Sequence, residues 1–200
     1  MAIKPILFST EMVRAILGGR KSCTRRVIKH NVDAILNSPY HMEHPEVEDA
    51  WLIKKLCRPP YEPGDILYVR ETWCGLPVNE AGHMRGHTIY YYKTDGELRP
   101  KGWRGTWYPS IHMPKEAARI WLKVTDVRVE RLQDITSEQI YREGTEVEEP
   151  FVLNGEEKRY AFSVLWNSTI KKSDLDRYGW GANPWVWVIQ FERCEKPKEG

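Results

Sequence analysis

Hydrophobic and polar residues alternate most cleanly between Arg119 and Leu132. Ile120, Leu122 and Val124 fall on every second position, and beyond Asp126 the alternation resumes out of phase at Val127 and Val129. A period of two predicts a half-buried strand, and the phase slip predicts a bulge near Thr125 and Asp126. From Pro184 to Phe191 the chain is almost wholly apolar and β-prone, which predicts a central strand covered on both faces. Ile66 to Thr72 alternates behind a Pro63-Gly64-Asp65 turn, and Ile3 to Phe8 reads as a short strand that Pro5 confines to an edge or a strand start.

Helical spacing is found in three places. Met12, Val13, Ile16 and Leu17 form the apolar stripe of a short helix that Thr10 caps and that Gly18 and Gly19, both tolerant of positive φ, bring to an end. Thr136 and Gln139 form a capping-box pattern that opens a helix running through Glu143 and stopping at Gly144. A longer helix is expected over roughly Glu156 to Asn167, with Tyr160, Phe162, Leu165 and Trp166 on its apolar side.

Residues 28–60 read as an irregular insertion with one helical patch at Glu48 to Leu56. Residues 74–108 read as a second insertion, a hairpin built on Thr88 to Lys93 with a turn at Thr94 to Glu97, then an aromatic loop from Trp103 to Tyr108. Pro114 is placed to begin one helical turn through Ala118. Several strands, short helices and no βαβ rhythm point to an α+β fold in a single domain over residues 1–195. It is expected to be a compact mixed β-barrel flanked by short helices, with residues 196–200 as a solvated tail.

Composition sharpens this only in part. The 200 residues carry a net charge of +2, which excludes a protein that coats nucleic acid with a uniformly basic surface, so any such contact must be local. Cys23, Cys57, Cys74 and Cys194 form no CxxC pair and the histidines show no ligand spacing, so neither a metal nor another cofactor is indicated. With no signal peptide and no long apolar run, a cytoplasmic protein with free thiols and no membrane contact is expected.

The densest candidate chemistry is Gly18-Gly19-Arg20-Lys21-Ser22-Cys23-Thr24-Arg25-Arg26. If this segment is extended after the glycines, Lys21, Cys23 and Arg25 share one face and Ser22, Thr24 and Arg26 the other, whereas a bulge at the strand start would bring Lys21 and Thr24 together. Taken alone, such a run is either a solvated basic turn or a site for an anionic or polar partner.

Four features in order, namely this segment, the Pro63-Gly64-Asp65 turn leading into Tyr68 to Trp73, the Arg119 to Leu132 strand with its following helix, and the closing Trp-Val-Trp-Val strand, resemble the ASCH family. The similarity is to the longer ASCH-domain proteins of phages and prophages, which also carry the Pro109 to Pro114 segment. The resemblance implies a PUA-like fold whose cleft takes RNA or a nucleobase. Some small bacterial members are amidohydrolases that remove the acetyl group from N4-acetylcytidine, using a lysine, a threonine and a glutamate. Carried over by position, these are Lys21, Thr24 and Glu143, with Thr24 as nucleophile, Lys21 as its base and Glu143 as general acid. Arg25 and Arg26 are candidates for holding a phosphate or an oxyanion, Glu71 for reading a base edge and Trp73 for stacking on it.

Three readings follow. The chain binds a nucleoside or single-stranded RNA and hydrolyses an N4-acylcytidine; or it is a non-catalytic RNA- or DNA-binding module that stacks bases on Trp103, Trp107 or Tyr108; or it is a phage accessory protein that grips another protein with its aromatic loop. The sequence leaves the oligomeric state open.

Overall fold

The computed structural model describes residues 1–78, 87–96, 106–145 and 155–198. Trp103, the basic residues Arg99, Lys101 and Arg104, and the middle of the acidic run after Gly144 lie outside them.

The chain folds as α+β around one five-stranded sheet. In chain order the elements are β1 (Ile3–Leu7), α1 (Thr10–Leu17), β2 (Cys23–Val27), α2 (Val32–Leu36), α3 (Pro39–Glu43), α4 (Asp49–Cys57), β3 (Ile66–Arg70), β4 (Trp73–Val78) and β5 (His87–Tyr92). Then come β6 (Trp121–Arg131), α5 (Ser137–Arg142), α6 (Gly155–Thr169), α7 (Leu175–Tyr178) and β7 (Trp185–Cys194). The main sheet runs β1-β3-β6-β7-β2, and β4 and β5 form a separate two-stranded ribbon. Only β1 and β3 run parallel; the other pairs are antiparallel.

β7 shows why its sequence is so uniformly apolar. Val186 and Val188 pack with Leu132, Ile140, Phe162 and Trp166 on one side of the sheet, whereas Trp187, Ile189 and Phe191 join Ile6, Val13, Leu67 and Val127 on the other. From Val186 to Ile189 every side chain is buried, which leaves no room for a polar one, and each fully buried Val or Ile contributes about 1.5–3 kcal/mol. The bulge expected in β6 is present as a register skip between Val124 and Asp126, which keeps Val127 and Val129 pointing into the same cluster as Leu122 and Val124. A third cluster, Ile66, Tyr68, Met113, Ala117 and Trp121, lies under the ribbon and receives Trp73, Tyr90 and Tyr92.

Several expectations need correction. The sheet does not close into a barrel: β1 and β2 are its two edges, with Phe8 and the cationic side chains of Lys21 and Arg26 beside the gap, 5.4 and 5.5 Å from the Phe8 ring. In place of a backbone ladder, Arg26 Nη2 donates to Leu7 O across that gap at 3.1 Å. Residues 28–60 are not irregular but hold three helices, of which α4 alone was foreseen. Ile53 and Cys57 of α4 enter the main core, and that burial, rather than local propensity, selects the helical conformation.

Smaller shifts concern caps. Ser9, not Thr10, caps α1 through Oγ to Met12 N, and of the two glycines after it only Gly19 has positive φ. Pro114 sits at the N-cap of its 3-10 turn rather than inside it, and Thr94 and Asp95 lie in a 3-10 turn after β5. The capping box of α5 is formed as expected, Thr136 Oγ1 accepting from Gln139 N and Gln139 Oε1 from Thr136 N.

Candidate functional site

The gap between the sheet edges opens into a cleft of about 650 Å³. Its lining comes from the end of β1 and start of α1 (Leu7, Phe8, Ser9, Glu11, Met12), from Lys21 and β2 with Lys29, from Glu143, and from α6 and the residue after it (Phe162, Leu165, Trp166, Thr169, Ile170). A volume of this size suits a small organic ligand, and the mix of apolar walls and a few convergent polar groups is typical of such sites.

Lys21, Thr24 and Glu143 all line this cleft. Gly19 turns the chain out of α1, and Lys21 N donates to Ala15 O at 3.0 Å, which fixes the start of the extended segment. Glu143 arrives from the other end of the chain as the C-cap of α5. It is followed by Gly144 at φ 78°, where an added Cβ would lie 2.6 Å from Ala15 Cβ and 2.9 Å from Lys21 Cβ. Glycine is therefore required here twice over, by the backbone angle and by the contact with α1.

Lys21 Nζ donates to Glu143 Oε2 at 2.9 Å, to Glu143 O at 2.7 Å and to Cys23 O at 2.8 Å. All three ammonium protons are thus engaged, and the cation also satisfies the terminal carbonyl of α5, offsetting the unfavourable placing of an acid at a helix C-terminus. Arg25, on the same face, donates to the other carboxylate oxygen, Glu143 Oε1, at 3.0 Å, and through Nη2 to Glu130 Oε2 at 3.2 Å and Gln139 Oε1 at 2.9 Å. Its side chain has 0% exposure, so it supports the carboxylate from within the fold. Arg25 Nε is buried without a partner.

Thr24 lies on the opposite face of β2, as alternation requires, and no hydrogen bond joins it to Lys21 or Glu143. Instead its Oγ1 accepts from Arg26 Nη1 at 2.9 Å. Arg26 also donates to Arg25 O, and burial lowers the affinity of its guanidinium for its proton despite the pull of Glu143 and Tyr61. Next to the pair, burial and then the Glu143 charge push the Cys23 thiol up to about 12, so it stays protonated.

Glu71 and Trp73 are elsewhere. Glu71 is fully buried and bound to Arg119 Nε and Nη2 at 2.9 and 3.0 Å and to Thr94 Oγ1 at 2.7 Å; neither it nor Trp73 lines the cleft. Arg119 in turn bonds Asp95 and stacks 3.9 Å from the centre of the Tyr92 ring, so these groups fasten the turn after β5 to the start of β6. Trp73 packs between Tyr90 and Tyr108.

Sequence reasoning missed Glu130, Gln139 and the α6 wall. Gln139 carried only a capping signature. The described residues hold no cluster of three or more His, Cys, Asp or Glu able to bind a metal ion. No helix among them is long and apolar enough to cross a membrane.

No family model and no curated protein matches this chain. Solved structures do. One is the high-resolution crystal structure of an ASCH domain from Lactobacillus crispatus JV V101, 11% identical over 96% of this chain and 79% of that one, with a TM-score of 0.39. Another is the hypothetical protein PH0355, 15% identical over 97% of this chain and 100% of that one, with a TM-score of 0.38. An ASCH domain is thus among the structures this chain is similar to. At such identities and scores the likeness says nothing about the cleft, whose chemistry is read from its geometry.

Proposed function

We propose that the cleft binds a nucleoside or a base of single-stranded RNA and hydrolyses the amide of an N4-acylated cytidine, as the resemblance to ASCH amidohydrolases implies. The observation that supports this is the buried Lys21–Glu143 pair lining the same cleft as the Thr24 hydroxyl, whose oxygen is held by Arg26 and whose proton is left uncommitted.

A proton moves from Lys21 Nζ to Glu143 Oε2 along their 2.9 Å hydrogen bond, yielding an amine and a carboxylic acid. The amine turns to Thr24 and takes its proton as Oγ1 attacks the amide carbon, while Arg26 Nη1 favours the charge developing on that oxygen. Glu143 then protonates the departing N4 amine, the C–N bond breaks and Thr24 holds the acyl group. Water attacks that ester, giving its proton to Glu143, and Thr24 recovers its own from Lys21; return of a proton from Glu143 to Lys21 resets the pair.

Incubation with N4-acetylcytidine, followed as conversion to cytidine, tests the reading. Wild type should turn over, and Lys21→Ala, Thr24→Val and Glu143→Gln should each lose about 100-fold or more. No turnover by wild type, or unchanged turnover after Lys21→Ala, removes the enzymatic reading. One observation favours a second reading, a binding module without catalysis: every Lys21 proton is already donated, so the amine has no lone pair ready for Thr24. Binding of cytidine by wild type without turnover of the acylated form would select it.

A further inference from the structure

Among the described residues lining the cleft, the cations Lys21, Arg25, Arg26 and Lys29 outnumber the acids Glu11 and Glu143. Lys21 and Arg25 are answered by Glu143 and Glu130. Glu11, the other acid of the lining, bonds its own backbone N–H and Ser9 at the start of α1 and feels Arg14 and Lys93, not Arg26. Among the described residues no carboxylate is hydrogen-bonded to Arg26, although the Glu143 charge reaches it: its acceptors are Thr24 Oγ1, Arg25 O and Leu7 O, all neutral. Among the described residues, two of its five N–H donors, Nε–H and one on Nη2, find no acceptor. Exposed Lys29 lies further along the same wall.

Resting on the nucleoside reading above, we infer that the ligand of this cleft carries a phosphate, with Arg26 as the group that binds it and Lys29 as a second cation at the lip. A half-buried guanidinium bonded only to neutral oxygens, with donors to spare, is stabilised by an oxyanion, and a phosphate can accept from two of its N–H groups at once. Bonds to three fixed oxygens hold the guanidinium in place before the ligand arrives, so little side-chain entropy is lost on binding. The preferred ligand is therefore a nucleotide, free or at the end of a strand, rather than the neutral nucleoside.

Calorimetric titration of the full chain with cytidine, cytidine 5′-monophosphate, a short cytidine oligonucleotide and inorganic phosphate tests this. The monophosphate should bind about tenfold or more tighter than cytidine, with a preference that shrinks as salt rises. Arg26→Gln should abolish the preference, read as the ratio of the two affinities within the variant, and Lys29→Ala, a surface change that keeps the fold, should reduce it. Tighter binding of the oligonucleotide than of the monophosphate would assign the phosphate to a strand; equal binding would assign it to a free nucleotide.

Equal affinity for cytidine and its monophosphate overturns the inference while leaving the nucleoside reading intact. Phosphate that binds wild type but not Arg26→Gln supports the anion site even if cytidine does not bind. Failure of every probe overturns both.

Discussion

Lys21 Nζ donates at once to the backbone oxygen and to the carboxylate of Glu143, at 2.7 and 2.9 Å, across 122 positions of sequence. Both side chains are almost fully buried. A buried ion pair is costly to desolvate, but it is costlier to break, because the survivor is left charged and unpaired. Lys21→Met and Glu143→Gln should each lower unfolding free energy by about 3–5 kcal/mol. The double variant should lose less than the two combined, and urea denaturation of all four proteins would expose this coupling.

Gly144 sets how closely α5 approaches α1. Gly144→Ala introduces a methyl into the space of Ala15 and Lys21 and forces a positive φ on an L residue, at a cost of about 1–3 kcal/mol. Gly18→Ala is the control. Gly18 has φ of −78°, and its added methyl meets only Arg14 O at 3.3 Å and Arg20 Nε at 3.8 Å, so its urea midpoint should move far less.

The Cys23 thiol, raised to about 12 by burial, remains protonated well above the pH at which an exposed thiol ionises. At pH 8 a small alkylating reagent should reach half-buried Cys194 well before Cys23, as peptide mass mapping over time would show. The linkage has a definite sign. Between about 9 and 12 the unfolded chain has lost this proton and the folded chain has kept it, so the thiol draws stability down as pH rises. A Cys23→Ala variant should show a flatter alkaline decline.

How far the sequence could be read followed from how local each signal was. The Arg119 to Leu132 bulge, the Pro184 to Phe191 strand and the Thr136 to Gln139 cap are set by neighbours within a few residues, and all are present. Alternation likewise placed Lys21 and Arg25 together and Thr24 apart. The open sheet was not legible, because pairing of β1 with β3 rather than β2 is decided by contacts far apart in sequence. The same holds for Glu71, whose place in a Tyr-Val-Arg-Glu-Thr-Trp run suggested a base reader. Its partner Arg119 lies 48 residues away and could not be inferred.

Glu71 gives a prediction that separates fold from function. Glu71→Gln leaves Arg119 facing an amide and should lower the melting temperature clearly, since a buried charged hydrogen-bond network is broken. Affinity for a ligand in the cleft should stay within a few fold, because Glu71 contributes nothing to its lining. A large loss of affinity in a protein that still folds would place Glu71 in the site after all.

Every described residue lining the cleft falls within residues 7–29, at 143 or within 162–170. Helices α2 to α4 and the β4–β5 ribbon contribute none, although together they hold much of the chain between Lys29 and Tyr92. These elements serve the core, through Val32, Ile53 and Cys57 on one side and Trp73, Tyr90 and Tyr92 on the other, and leave the working part to the rest of the chain. A fluorophore or tether attached at an exposed position there, such as Met42 or Ile89, can spare both the core and the chemistry of the ligand.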